Sequence, residues 1–352
     1  MKKKILIPII LMLIICAAAA IFYSTRPDWS GMVVRVAGPA DLASGSYAEG
    51  AAKFAEKFGC TVEFTQDYEN CDLFYSSGED FSQCQPIGDY INLRKPIYSP
   101  EIICQSCTFD GEIYGITHTL MGSLNYCTYS PSQFGEAKLP YDYYKENSWT
   151  WNNFINMVND INANVAIDWT KSYINMRYAL FLDENGVPSY DYGTQSQIEW
   201  LNFVRTLIYD DGIVNNTEGA FKVDFLPMVM LNSVNSGEQM RYIPWPTKNG
   251  DMEKMFVDEY HFCVPKNAQN PKLSVELANY MIKSCIDVRT ALYRANMTDE
   301  DWELFQKQLE NVYTYPYHTE YVPARKFIED FVRGKTVTEH IYNVENDAEH
   351  IN

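Results

Sequence analysis

The sequence predicts an α/β protein built in two lobes, and three observations lead there. An apolar leader precedes roughly 330 residues, enough for two hydrophobic cores rather than one. The chain beyond it opens strand, helix, strand, strand, the start of an α/β layer. Hydrophobic residues make up 46% of the chain, which excludes a disordered segment.

Met1 to Tyr23 reads as a targeting segment outside the fold, a signal peptide or a membrane anchor. Lys2, Lys3 and Lys4 form its positive end, Ile5 to Cys16 an apolar core broken only by Pro8, and Ala17 to Ala20 suit a signal peptidase. Three fates are open. The leader is cleaved after Ala19 or Ala20, or Cys16 is lipid-modified despite the Ile15 before it, or Ile5 to Tyr23 stays as an anchor, since about 20 apolar residues span a bilayer. Each leaves the chain exported, at the outer face of the cytoplasmic membrane, extracellular or periplasmic. Without the three lysines, 25 basic residues face 46 acidic ones, a net charge near −21. Such a surface repels nucleic acid and anionic lipid.

The elements follow in order. Val33 to Ala37 is a β-branched strand, broken by Gly38-Pro39-Ala40-Asp41. Tyr47 to Phe58 carries Ala48, Ala51, Ala52, Phe54 and Ala55 at helical spacing, with Gly59 as its C-cap. Thr61 to Phe64 and Asp72 to Tyr75 are the next strands. Sheets of this kind bind ligands at loops beyond the carboxyl ends of their strands, which points to Asp41 and to the Ser76–Glu79 loop with Ser77 and Glu79. Asp110-Gly111 is a turn leading into a strand to Ile116. Thr150 is placed to cap a helix with Phe154, Ile155, Val158 and Ile161 on one face. Asn185-Gly186 marks a hairpin, because both residues tolerate positive φ; an EF-hand there lacks its ligand spacing and closing glutamate. Helices are expected over Gln195–Tyr209, Pro271–Ile282, Asp299–Val312 and Ala324–Val332, and strand and loop over Phe221–Met230, Met240–Pro246 and Phe256–Pro265.

Beyond Cys16, the even set Cys60, Cys71, Cys84, Cys104, Cys107, Cys127, Cys263 and Cys285 on an exported chain predicts disulfides, of a connectivity that spacing cannot give. Cys104-Gln105-Ser106-Cys107 lies in a loop before the Asp110 turn, so a bridge or buried thiols are expected there rather than redox catalysis. His118, His261, His318, His340 and His350 form no H-x-x-x-H or H-E-x-x-H pattern, and no G-x-S-x-G, Walker A or G-x-G-x-x-G motif occurs. No metal, no cofactor and no enzymatic activity are therefore expected. Catalytic carboxylates, as in an exported glycan-processing hydrolase, are the alternative that counting acidic residues leaves open, since such a pair is defined by a separation of about 5–10 Å in space.

Asp110-Gly111-Glu112-Ile113-Tyr114-Gly115-Ile116 followed by Ser148-Trp149-Thr150-Trp151-Asn152-Asn153-Phe154 resembles the extracellular solute-binding proteins of ABC importers, family 1, the sugar-binding and maltose-binding-protein-like group. There a D-G-K-I-Y-G-I-P strand leads into the second lobe and a T-W-D-E-F helix follows. Leu182-Asp183-Glu184-Asn185-Gly186, the Tyr209-Asp210-Asp211-Gly212-Ile213-Val214 sequel, a returning strand and helix over Tyr260–Ser284, and Gly334-Lys335-Thr336-Val337-Thr338 extend the similarity across Val33 to Asn352. Leu124-Asn125-Tyr126-Cys127-Thr128-Tyr129 departs from the family's L-Y-Y-N-K segment, lacking its Asn and Lys.

The resemblance implies a two-lobed periplasmic-binding-protein-like fold with hinge strands and a ligand cleft between the lobes. Residues 33–118 plus 260–296 would form one lobe, and 119–259 plus 297–352 the other. It implies capture of a small solute, a saccharide or oligosaccharide, and delivery to membrane permease subunits by a monomer. A sensor or adhesion module of the same fold is a further alternative. Sugars need aromatic faces and planar polar groups. By family position Trp245, stiffened by Pro244 and Pro246, and Trp149, Trp151, Tyr126, Tyr129 and His118 border the cleft; Trp151 equally suits stapling its helix to the lobe. Arg241 and Tyr260 join Asp41, Ser77 and Glu79 on loop position alone, where an ion-pair role is the common alternative.

Overall fold

The computed structural model describes residues 27–76, 81–161, 165–167, 199, 202–203, 214–215, 220–225, 237, 240–250, 255–258 and 260–313. Among them the expected opening is present. Strand β1 (Val33–Ala37) pairs in parallel with β2 (Thr61–Thr65) and β3 (Leu73–Ser76), in register Val33 to Thr61 and Val36 to Leu73. Helix α1 (Gly45–Phe58) makes the crossover and ends at Gly59, whose φ of 67° is the left-handed cap that only glycine adopts without strain. Val34, Val36 and Phe54 are fully buried. Each such side chain contributes about 1.5–3 kcal/mol by leaving water.

The sheet is completed from far along the chain. Strand β13 (His261–Cys263) lies antiparallel to β3, and β6 (Gly115–Ile116) antiparallel to β13, giving the order β2-β1-β3-β13-β6. Helix α5 (Pro271–Asn296) covers one face against α1. Asn270 caps it, accepting from the Leu273 amide at 3.2 Å, and Pro271 fits its first turn. Gly50 of α1 sits so close to α5 that a Cβ there would stand 2.5 Å from the Tyr280 carbonyl oxygen.

Three expectations are corrected in this half. The Asp110-Gly111 strand is two pieces. Strands β4 (Thr108–Phe109) and β5 (Glu112–Ile113) form a hairpin across Asp110 and Gly111, with φ of 48° and 80°, and only β6 enters the main sheet. The Cys104–Cys107 segment is not a loop: α2 (Pro100–Ser106) takes it, opened by Pro100 and too short to show a periodic pattern. The eight cysteines stand as thiols, seven of them buried and Cys104 exposed, with no bridge. Cysteine serves here as a small apolar residue. The sulphurs of Cys107 and Cys263 fill the space over Gly115, lying 3.1 and 3.3 Å from where its Cβ would be.

The second sheet is built around β7 (Ser123–Tyr129). It pairs antiparallel with β10 (Phe221–Phe225), β11 (Arg241–Ile243) and β12 (Met255–Asp258). Strands β8 (Val165–Ile167) and β9 (Val214–Asn215) extend it beyond β10, and β14 (Val312–Tyr313) beyond β12. Short helix α3 (Pro140–Lys145) precedes α4 (Trp151–Asp160), which Thr150 caps as expected, its Oγ1 accepting from the Asn153 amide. An aromatic core of Tyr129, Phe134, Trp149, Phe154 and Phe221 fills this half, with the Phe154 and Phe221 rings 5.1 Å apart.

The chain passes between the two sheets from β6 to β7, from β12 to β13, and from α5 to α6 (Asp299–Leu309). Helix α5 runs well past the expected end at Ile282. Lys283, Asp287, Arg289 and Arg294 mask its apolar stripe there, yet Cys285 and Tyr293 on that stripe are fully buried. The leader, the Asn185-Gly186 hairpin, the Ala324–Val332 helix and Gly334–Thr338 lie outside the described residues, as does nearly all of Gln195–Tyr209.

Candidate functional site

Two of the passages between sheets are tied together. Thr117 Oγ1, leaving β6, donates to the carbonyl oxygen of Tyr260, just ahead of β13, at 2.5 Å. His118 follows in extended conformation, and its Nδ1 accepts from the Leu120 amide at 3.0 Å. That bond leaves the ring proton on Nε2, as a donor. Burial pulls the imidazole down to about 4, so the ring is neutral. Tyr260 lies half-buried, its ring stacked on Tyr75 at 5.2 Å and 7°. The Tyr75 hydroxyl meets that of Tyr47 at 3.1 Å. Burial raises both phenols, so they remain neutral hydrogen-bonding groups.

Arg289 of α5 reaches the start of β7. One of its guanidinium nitrogens donates to the carbonyl oxygens of Leu120 and, at 2.9 Å, Gly122. Burial works against its charge, yet its pKa stands above the ordinary arginine value, so the guanidinium is charged.

The second feature is the Pro244-Trp245-Pro246 loop after β11. The Trp149 indole donates to the Pro244 carbonyl at 2.7 Å and the Trp151 indole to the Pro246 carbonyl at 2.9 Å. The Trp151 amide donates to the Thr247 carbonyl at 3.0 Å, and Gly250, at φ 81°, passes so near Asn147 that a Cβ would stand 2.8 Å from its carbonyl oxygen. The loop is thereby fastened to the N-terminus of α4. Trp245 itself is half-buried against Phe154, ring centroids 5.4 Å apart, and its Nε1 has no hydrogen-bond partner among the described residues.

The candidates therefore separate. Trp149 is 2% exposed and Trp151 stacks on Phe203 at 4.8 Å, and both fasten the Trp245 loop through their indole N–H groups. Tyr129 is fully buried in the core of the second sheet, its ring packed against Phe134 and Phe221. Arg241, opposite Tyr129 in the register, spends its guanidinium on Asp301 at 2.7 Å and Glu300 at 3.2 Å. Burial lowers its pKa, but the hydrogen bond and charge of Asp301 outweigh that. Asp41 is exposed in the turn Ala40–Ala43, its carbonyl capped by Ser44 at 2.8 Å. Tyr126 lies on β7 opposite Asp224. Ser77 and Glu79 lie outside the described residues. Sequence reasoning missed Tyr47, Tyr75 and Arg289. The two tyrosines flank the loops picked out for binding, whereas Arg289 sits beyond the end assigned to its helix. Among the described residues no cluster of His, Cys, Asp and Glu is poised to hold a metal.

No family model and no curated protein matches the sequence. Solved structures do match the fold over nearly the whole chain. The sugar-binding protein MalE from the phytopathogen Xanthomonas citri superposes with a TM-score of 0.69 at 16% identity, over 91% of this chain and 97% of its own. An ABC substrate-binding protein from Listeria monocytogenes, in complex with cycloalternan, gives 0.63 at 12% identity over 90% and 98%. The maltose-maltodextrin binding protein of Alicyclobacillus acidocaldarius gives 0.62 at 13% identity over 89% and 100%. These likenesses establish the two-lobed α/β binding-protein fold that the sequence predicts.

Proposed function

We propose that this chain is an exported solute-binding protein of an ABC importer, which captures a saccharide or oligosaccharide and hands it to permease subunits without altering it. The single observation that supports this most is coverage: proteins described as sugar-binding or maltose-maltodextrin binding are matched by this fold over 97–100% of their own chains. In this reading residues 33–118 and 260–296 make one lobe, 119–259 and 297–352 the other, and the three passages between sheets are the hinge. Trp245 offers an aromatic face to pyranose C–H groups, held by Trp149 and Trp151. His118 Nε2 and the Tyr260 hydroxyl supply polar groups at the hinge. The protein works as a monomer outside the cytoplasmic membrane, where the leader delivers it.

A thermal-shift screen against mono- and oligosaccharides tests this. Anything that binds only the folded state stabilises it, by about 2.7 kcal/mol at a hundredfold excess over Kd. For a chain of this length that corresponds to a rise in Tm of about 4 °C. Trp245→Ala should reduce affinity at least about tenfold, with the sugar-free Tm little changed. A panel without any shift, or a hit insensitive to Trp245→Ala, would overturn the ligand class or the site respectively.

A further inference from the structure

His261 is the first residue of β13, entered directly from the passage that follows β12. It is fully buried, and neither ring nitrogen has a hydrogen-bond partner among the described residues. A neutral imidazole carries one N–H donor and one bare nitrogen that accepts. Nearly all buried polar groups in folded proteins find a partner, in the chain or in an ordered water. An apolar ring would fill the same space without the cost of burying two unmet polar atoms. Burial also keeps the imidazole uncharged, so the missing partner need not carry charge.

The surroundings narrow the choice of that partner. Directly across the ladder stands Ser76, the last residue of β3. Side chains opposite one another in an antiparallel pair share a face, with Cβ atoms about 4.5–5.5 Å apart, so the Ser76 hydroxyl and the imidazole are neighbours. They make no direct hydrogen bond. Phe81, with its centroid 5.6 Å from that of His261, offers the imidazole only an apolar ring. Ser76 keeps 7% of its surface exposed, so the pair lies just beneath the molecular surface, at the carboxyl end of β3 where sheets of this kind take ligands. Thr117 Oγ1 holds the carbonyl of Tyr260, the residue before His261, and so fixes the backbone that carries the ring.

We propose that Ser76 and His261 form a binding site for one hydroxyl group, supplied by an ordered water or by the captured solute. The two sources share the chemistry the site requires. Each donates and accepts, and therefore serves whichever ring nitrogen it meets while bonding to Ser76 Oγ. The solute as source rests on the reading of the protein as saccharide-binding; water as source does not.

Crystal structures of the wild-type protein at neutral pH, alone and with the saccharide found by thermal shift, test this. The expected result is a non-protein oxygen within about 3.2 Å of a His261 ring nitrogen and of Ser76 Oγ. A water holding that place in both crystals identifies solvent as the source. A saccharide oxygen taking its place identifies the solute, and titration calorimetry of Ser76→Ala and His261→Phe should then show Kd raised by about fivefold or more. Ser76→Ala carries that measurement alone should His261→Phe fail to fold. Two ring nitrogens with no such oxygen beside them, or bonded to other groups of the protein, overturn the proposal. If the wild type binds no saccharide, the functional reading fails, while the solute-free crystal still decides the site.

Discussion

Gly50→Ala puts the packing of α1 on α5 to a quantitative test. The added Cβ would stand 2.5 Å from the Tyr280 carbonyl oxygen, 2.7 Å from the Met281 Cα and 2.9 Å from the Tyr280 carbonyl carbon, where ordinary contact begins at 3.4 Å. All three are backbone atoms, so no side chain can swing aside. The helices must part by close to ~1 Å, and a gap of that size forfeits a quarter to a half of the attraction between the atoms it separates. Overpacking of this kind costs about 1–3 kcal/mol. Alanine returns at most about 1 kcal/mol over glycine inside a helix. The net expectation is a loss of about 1–2 kcal/mol, for a chain of this length a fall in Tm of about 1.5–3 °C by circular dichroism. Gly88→Ala, with nothing within 4 Å of its Cβ, is the control and should stay within about 0.5 kcal/mol. A Gly50→Ala protein as stable as wild type would refute the close approach of the two helices.

Further outcomes follow from the charges. Arg241→Met leaves the Asp301 carboxylate, 1% exposed, without its cation, and should cost about 3–5 kcal/mol in urea unfolding, whereas Lys283→Met, which breaks the exposed pair with Asp287, should cost at most about 0.5 kcal/mol; similar costs for the two would contradict the buried geometry. Burial pulls His261, like His118, down to about 4 from an ordinary 6.5. Each stays neutral in the fold where the unfolded chain takes up a proton. Their contribution is therefore fully present above pH 6.5 and lost as pH falls toward 4, at up to about 1.4 kcal/mol per pH unit for each ring. His261→Phe should flatten that slope; a pH profile parallel to wild type would count against the buried neutral ring.

Much of this fold was legible because local chemistry and tertiary context agree. The β-branched run Val33–Ala37, the Gly59 cap, the Thr150 cap and the Asp110-Gly111 turn each decide their own conformation and appear where expected. What was not legible depends on partners distant in the chain. Strand β13 completes a sheet begun more than 180 residues earlier. Helix α5 continues past Ile282 because Tyr293 finds Phe305, a contact that no window around Ile282 contains. The even cysteine count misled because a thiol also fills a core, as Cys107 and Cys263 do over Gly115.

The site follows the same division. Prolines on either side of Trp245 announced a stiff loop, but the division of labour among three tryptophans needed the indole-to-carbonyl bonds of Trp149 and Trp151. Tyr129 stood out by its place in the segment; the rings of Phe134 and Phe221, one of them more than 90 residues away, bury it. Arg241 carries no local mark of its pairing with Asp301, which lies 60 residues away.

The most direct measurement of the central claim is small-angle scattering of the wild-type protein with and without a saturating saccharide, followed by mass analysis of the recovered sugar. A smaller radius of gyration on binding, with the sugar intact, is the predicted result. An unchanged radius at saturation, or a cleaved sugar, would contradict capture by closure of two lobes.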